Sequence, residues 1–139
     1  MRLRHPAIVS LLDFSFEDVS SWLATEYIVG STLRTYLEEN GQLSLGILLK
    51  TLKPLLDGLA YAHDQGVIHR DLKPANLVID VTGDPKLRTL DFGLAIVDRY
   101  DHEDRETAAN APLYGTLMYM APEQLEGKLL SSACDLYAF

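Results

Sequence analysis

The chain reads His69-Arg70-Asp71-Leu72-Lys73-Pro74-Ala75-Asn76, and fifteen residues beyond Asn76 it reads Asp91-Phe92-Gly93. Both stretches lie among short apolar runs, Val67-Ile68, Leu77-Val78-Ile79 and Lys86-Leu87, which read as small strands, with Thr82-Gly83-Asp84 turning the last two into a hairpin. Upstream, Leu45, Leu48, Leu49, Leu52, Leu55, Leu56, Leu59 and Ala60 recur at three and four residues, which predicts a long helix after Ser44 with the leucine stripe as core. Pro54 inside it should cost a hydrogen bond and bend the helix.

Towards the N-terminus, Ile8 to Phe16 and Trp22 to Val29 are rich in β-branched and aromatic residues and read as two strands joined by the polar stretch Glu17 to Ser21. Gly30 breaks the second strand, and Ser31 or Thr32 can cap a short helix towards Glu39 that Asn40-Gly41 ends. Residues 94 to 114 lack a clean period and hold the charged run Asp98 to Glu106, so they read as a long mobile segment. The sum is an α+β chain.

At 139 residues the chain has room for about one compact domain. Apolar residues at 47% against 23% charged exclude a disordered acidic tail. A net charge of −8 with no basic cluster speaks against nucleic acid and anionic lipid as partners. A single cysteine, Cys134, excludes an internal disulfide and fits a reducing, cytoplasmic setting. No run approaches the 18 or so apolar residues of a membrane span, and no signal segment follows Met1 to His5.

The octet and Asp91-Phe92-Gly93 resemble the catalytic loop and the metal-binding loop of the eukaryotic-type Ser/Thr protein kinase family. Seven specified residues in eight positions arise by chance at about 20⁻⁷ per starting point, which makes a false match remote. Gly115-Thr116 and Ala121-Pro122-Glu123 follow in the order of the end of that family's activation segment. His5-Pro6-Ala7-Ile8-Val9 resembles the approach to its fourth strand, and Thr25-Glu26-Tyr27 its interlobe hinge. The resemblance implies a protein-kinase-like fold: residues 1–28 as a remnant of N-lobe strands and hinge, and residues 29–139 as the first half of the mainly helical C-lobe.

The chemistry asks for these residue types. Phosphoryl transfer depends on placing a hydroxyl in line with a γ-phosphate while neutralising diffuse negative charge. The resemblance implies ATP and Mg²⁺ as cofactors and a protein bearing a Ser or Thr acceptor as partner. Asp71 is the implied catalytic base, and Lys73, two residues on, stabilises transferring charge and marks Ser/Thr rather than tyrosine kinases. Asn76 and Asp91 are the implied magnesium ligands, one amide and one carboxylate beside the phosphates. Thr116 is implied to pack on the catalytic loop, coupling activation-segment order to catalysis.

By the same resemblance the Glu26 carbonyl and the Ile28 amide bond the adenine edge, Thr25 guards the deeper pocket and Val78 lies under the ring, with Thr32 on the ribose side. Arg70 pairs with a phosphorylated activation segment, for which Thr107 is the first phosphosite and Tyr114 the second. His69 is read as holding the loop by packing and hydrogen bonds, Phe92 as orienting Asp91, and Asp135 as bonding the loop's backbone. Glu123 has an implied partner arginine far downstream, and His63 and His102 have no context of their own.

No G-x-G-x-x-G stands among the nine glycines, and no strand lysine or helix glutamate of the family precedes His5. The chain therefore reads as a partial kinase domain, expected to be inactive and loosely folded when isolated. Two other functions compete. A small-molecule kinase of the aminoglycoside or choline type also pairs two aspartates, but Lys73-Pro74 and Ala121-Pro122-Glu123 weigh against it. A non-catalytic, kinase-like scaffold is opposed by intact Asp71, Asn76 and Asp91, and for the isolated chain it stays open.

Overall fold

The computed structural model describes residues 3–17, 20–90, 92 and 117–139. Asp91, Gly93, the segment 94–114, Gly115 and Thr116 lie outside the described residues, as do the phosphosites expected at Thr107 and Tyr114. Strands β1 (Leu11–Glu17) and β2 (Ser20–Thr25) form the expected antiparallel hairpin, with an irregularity between Leu11 and Asp13. β3 (Ser31–Thr32) leads into helix α1 (Leu33–Asn40), and α2 spans Leu45–Asp64. β4 (Leu77–Asp80) and β5 (Lys86–Thr89) complete a second antiparallel sheet in the order β3-β4-β5. Two short helices follow, α3 (Pro122–Leu125) and α4 (Ala133–Tyr137).

Capping chemistry sets the helix starts. The Thr32 hydroxyl accepts from Thr35 N at 3.1 Å and the Ser44 hydroxyl from Ile47 N at 3.3 Å, each satisfying a first-turn donor that has no partner within its helix. Gly41 N–H closes α1 on the Leu37 carbonyl at 2.8 Å. α2 runs unbroken through Pro54. The expected strand at Val67-Ile68 is absent: these residues have no regular secondary structure, and Val67 N–H donates to the Ala62 carbonyl near the end of α2.

The leucine stripe of α2 divides. Leu55 and Leu59 are fully buried together with Thr51, Gly58 and Ala62, whereas Leu45 and Leu49 are 69% and 65% exposed and Leu48 and Leu56 also reach the surface. The buried set 51-55-58-59-62 has the helical spacing but includes a threonine and a glycine, so the apolar type misidentified the inward face. Gly58 is required there: a Cβ would stand 2.9 Å from His5 Nδ1 and 3.2 Å from the Ala7 Cβ. That close approach lets His5-Pro6-Ala7 lie on α2, with His5 stacked on Tyr61 at 5.6 Å.

From this seat the chain continues beside the sheet. Val9 N–H donates to the Thr89 carbonyl at 3.0 Å and Thr89 N–H to the Ala7 carbonyl at 2.9 Å, a parallel bridge that ties the start of the chain to β5. Ile8, Leu33, Leu55, Leu59, Leu72, Leu77, Ile79, Leu87 and Phe92 form one buried cluster between α2 and the three-stranded sheet. Burying one such side chain contributes about 1.5–3 kcal/mol. No helix among the described residues is long and apolar enough to cross a membrane.

Candidate active site

The loop between α2 and β4 is shaped by its own sequence. Leu72 is buried in the core and fixes the middle of the loop. Lys73, placed before a proline, is extended at φ −165° and ψ 161°, as the proline ring demands of its predecessor. Pro74 opens a 3-10 turn, Pro74–Asn76, which Asn76 N–H closes on the Lys73 carbonyl at 2.9 Å. The turn delivers the chain into β4, where Leu90 N–H donates to the Asn76 carbonyl at 2.8 Å.

Three of the residues singled out above meet at one carboxylate. Lys73 Nζ lies 2.9 Å from Asp71 Oδ1 and 2.6 Å from Oδ2. Asn76 Nδ2 donates to Asp71 Oδ2 at 2.9 Å and to the Asp71 carbonyl at 2.7 Å. The Asp71 side chain is thus held at both oxygens while 40% of it stays open to solvent. Asn76 spends its amide nitrogen on Asp71, so its Oδ1 is the part of the side chain left to meet a cation.

The loop rests on one deeply buried acid. Asp135 of α4 accepts from His69 N at 2.8 Å, Arg70 N at 2.8 Å and His63 Nε2 at 2.7 Å, and its side chain has no solvent exposure. These three N–H groups satisfy a charge that would otherwise be very costly to bury. Arg70 is the one residue other than glycine with positive φ among the described residues, at 68°. A left-handed conformation costs a side-chain-bearing residue about 1–2 kcal/mol and persists where surrounding bonds dictate it.

His69 is structural. Its Nε2 donates to the Leu90 carbonyl at 2.8 Å, its Nδ1 faces Asp71 N at 3.4 Å, and its ring meets Phe92 edge-on at 4.8 Å. Neither ring nitrogen is left for proton transfer. Next to Asp135, burial pushes the Cys134 thiol up to about 11, which keeps it protonated and unreactive.

The segment expected to be the hinge is fastened differently. Glu26 N–H donates to the Ser10 carbonyl at 3.0 Å, and the Glu26 carboxylate accepts from Ser10 N at 2.7 Å and from Arg88 at 2.6 and 3.2 Å. The Arg88 guanidinium, then the Ser10 amide, hold the Glu26 carboxyl down at about 2. Arg88 also donates to the Ile8 carbonyl at 3.1 Å. Among the described residues the Glu26 carbonyl and the Ile28 amide have no hydrogen-bond partner.

Thr25 ends β2 opposite Leu11 and is exposed. Val78 is buried in β4 opposite Thr32 and Arg88. A Cβ on Gly30 would lie 2.3 Å from the Ile79 carbonyl and 3.3 Å from the Val78 side chain, so the chain at Gly30 passes β4 through a gap that admits only glycine. Thr32 serves as the α1 cap. Asp91 and Thr116, expected at this site, lie outside the described residues.

Sequence reasoning missed three contributors. Arg88 looked like one charge in a short strand, and His63 like one histidine in a helix, although each is a long-range partner of an acid. Gln124 follows the Ala121-Pro122-Glu123 motif and donates to the Arg70 carbonyl at 2.7 Å. No residue-type pattern marks it.

A sequence family described as the protein kinase domain matches residues 1–139. The chain belongs to the protein kinase family. It is 40% identical over 141 residues to Serine/threonine-protein kinase pkn3 of Myxococcus xanthus, covering 99% of this chain and 26% of that protein. It is 35% identical over 136 residues to Serine/threonine-protein kinase PrkC of Bacillus subtilis, covering 98% and 20%. Mitogen-activated protein kinase kinase kinase 1 of Rattus norvegicus is 34% identical over 139 residues, covering 98% and 9%. The chain spans about a quarter or less of the length of these relatives.

Proposed function

We propose that the chain carries the phosphate-transfer centre of a serine/threonine protein kinase, moving the γ-phosphate of ATP to Ser or Thr hydroxyls of protein substrates. One observation carries the reading: the Asp71 carboxylate is held by Lys73 at 2.6 Å and by Asn76 at 2.9 Å on a loop bonded to a buried acid. A carboxylate fixed in this way can orient an acceptor hydroxyl and take its proton. Lys73 adds positive charge beside it, where transferring phosphate needs neutralisation.

The donor set suits magnesium, a hard cation that takes few protein oxygens beside phosphates. Asn76 Oδ1 is the amide oxygen available to it, and Asp91 supplies a carboxylate by its place in the sequence. Magnesium bound there supplies charge neutralisation for the β- and γ-phosphates. In this reading Thr25, the Glu26 carbonyl, the Ile28 amide and Val78 receive the adenine, and Thr116 orients the loop. Residues 1–28 then belong to the N-lobe and hinge and 29–139 to the C-lobe.

The experiment is phosphate transfer by the full-length protein to a mixture of peptides bearing Ser, Thr or Tyr, with γ-labelled ATP. Label on Ser and Thr that disappears on chelating magnesium is the expected result. Label on Tyr alone, or transfer indifferent to chelation, contradicts it.

A further inference from the structure

The backbone of Arg70, the residue before Asp71, is gripped from two separate elements, at its N–H and at its carbonyl. On one side Arg70 N–H donates to Asp135 Oδ1 at 2.8 Å. On the other, the Arg70 carbonyl accepts from Gln124 Nε2 at 2.7 Å. Gln124 is oriented by its other end, because its Oε1 accepts from Ala121 N at 3.0 Å. A side chain there must accept from a backbone N–H and donate to a backbone carbonyl at once, which an amide does and a carboxylate does not. The grip matters because Arg70 is held in a left-handed conformation, and the direction of the Asp71 side chain follows from that backbone turn. Behind the loop, Tyr119, Met120, Gln124 and Cys134 line a small recess together with Arg70 and Asp71.

We propose that Gln124 is a positioning residue for phosphotransfer: through the Arg70 carbonyl it couples the Leu117–Leu125 segment to the placement of Asp71. The inference rests on the proposed function for its catalytic consequence and on geometry alone for its structural one. Gln124→Glu isolates the bond. The variant is nearly isosteric and keeps the acceptor for Ala121 N, but it presents an ionised oxygen to the Arg70 carbonyl.

In the full-length protein at pH 8, Gln124→Glu should lower kcat about tenfold, the equivalent of one lost hydrogen bond, with KM for ATP little changed. The introduced carboxylate faces a carbonyl oxygen in a half-buried place, which raises its pKa above the ordinary value of about 4.3, so lowering the pH towards about 5 restores a donor in part and the ratio of variant to wild-type kcat should climb. Gln124→Ala should be equally impaired at all pH values. Hydrogen exchange at the Arg70 and Asp71 amides should be faster in both variants, and it reads the coupling without any activity. Wild-type kcat in Gln124→Glu at pH 8, or a deficit that acidification leaves unchanged, overturns the proposal. Unchanged exchange at Arg70 and Asp71 overturns it too. A wild-type protein that transfers no phosphate, yet shows the exchange difference, contradicts the kinase reading while upholding the coupling.

Discussion

Two carboxylates tie distant parts of this molecule together, and they work under opposite conditions. Asp135 joins α4 to the loop 65 and 66 residues away, with no side-chain exposure. Glu26 joins the segment after β2 to β5 across 62 residues, with 31% of its side chain in solvent. Asp135 is matched by the buried His69 amide, the part-buried Arg70 amide and His63, whose side chain is 15% exposed. Glu26 is matched by the Ser10 amide and by Arg88, in a pair that is open to solvent on both sides. Equal formal charge therefore implies unequal structural weight, and the loop that carries Asp71 is the more firmly held of the two regions.

The largest effect expected from this contrast is at Asp135. Asp135→Ala leaves the buried His69 amide and the part-buried Arg70 amide unsatisfied, at a cost of about 3–5 kcal/mol, in the range for breaking a buried charged network. Denaturant unfolding that shows less than about 1 kcal/mol would erase the distinction between the two ties. Glu26→Gln should cost about 1 kcal/mol or less, and that loss should shrink in high salt because the Arg88 pair is partly exposed. A salt-independent loss as large as that at Asp135 would show that the Glu26 tie is effectively buried.

The subtlest effect is in pH. Glu26 has its folded-state pKa pulled from 4.5 to about 2, so the folded state favours its ionised form. Its contribution is complete above pH 4.5 and is lost as pH falls towards 2. The stability difference between wild type and Glu26→Gln should be flat at neutral pH and narrow through that window. A difference that widens on acidification would reverse the assigned sign.

Much of this arrangement was legible in the sequence. The hairpins, the Thr32 cap and the Asp71-Lys73-Asn76 grouping follow from residue order, because each depends on local turn chemistry or on a dense motif, whereas the Asp135 anchor was legible only through the family resemblance. What escaped depends on tertiary distance. The inward face of α2 was misread because Thr51 and Gly58 lie on it and Leu45 and Leu49 do not, a choice made by the close packing of His5 and Ala7. Val67-Ile68 has strand-like residues but no strand beside it to pair with. Arg88, His63 and Gln124 gain their roles from partners at least 54 residues away, which no short-range pattern encodes.

The central claim is that the carboxylate at position 71 performs the proton-accepting step of phosphate transfer. Comparing the initial rate of γ-phosphate transfer to a Ser-bearing peptide by the full-length wild type and by Asp71→Asn tests it most directly. Loss of about 10²- to 10⁴-fold in kcat, with the unfolding midpoint little changed, is the predicted outcome. An Asp71→Asn protein that transfers phosphate at the wild-type rate would contradict it.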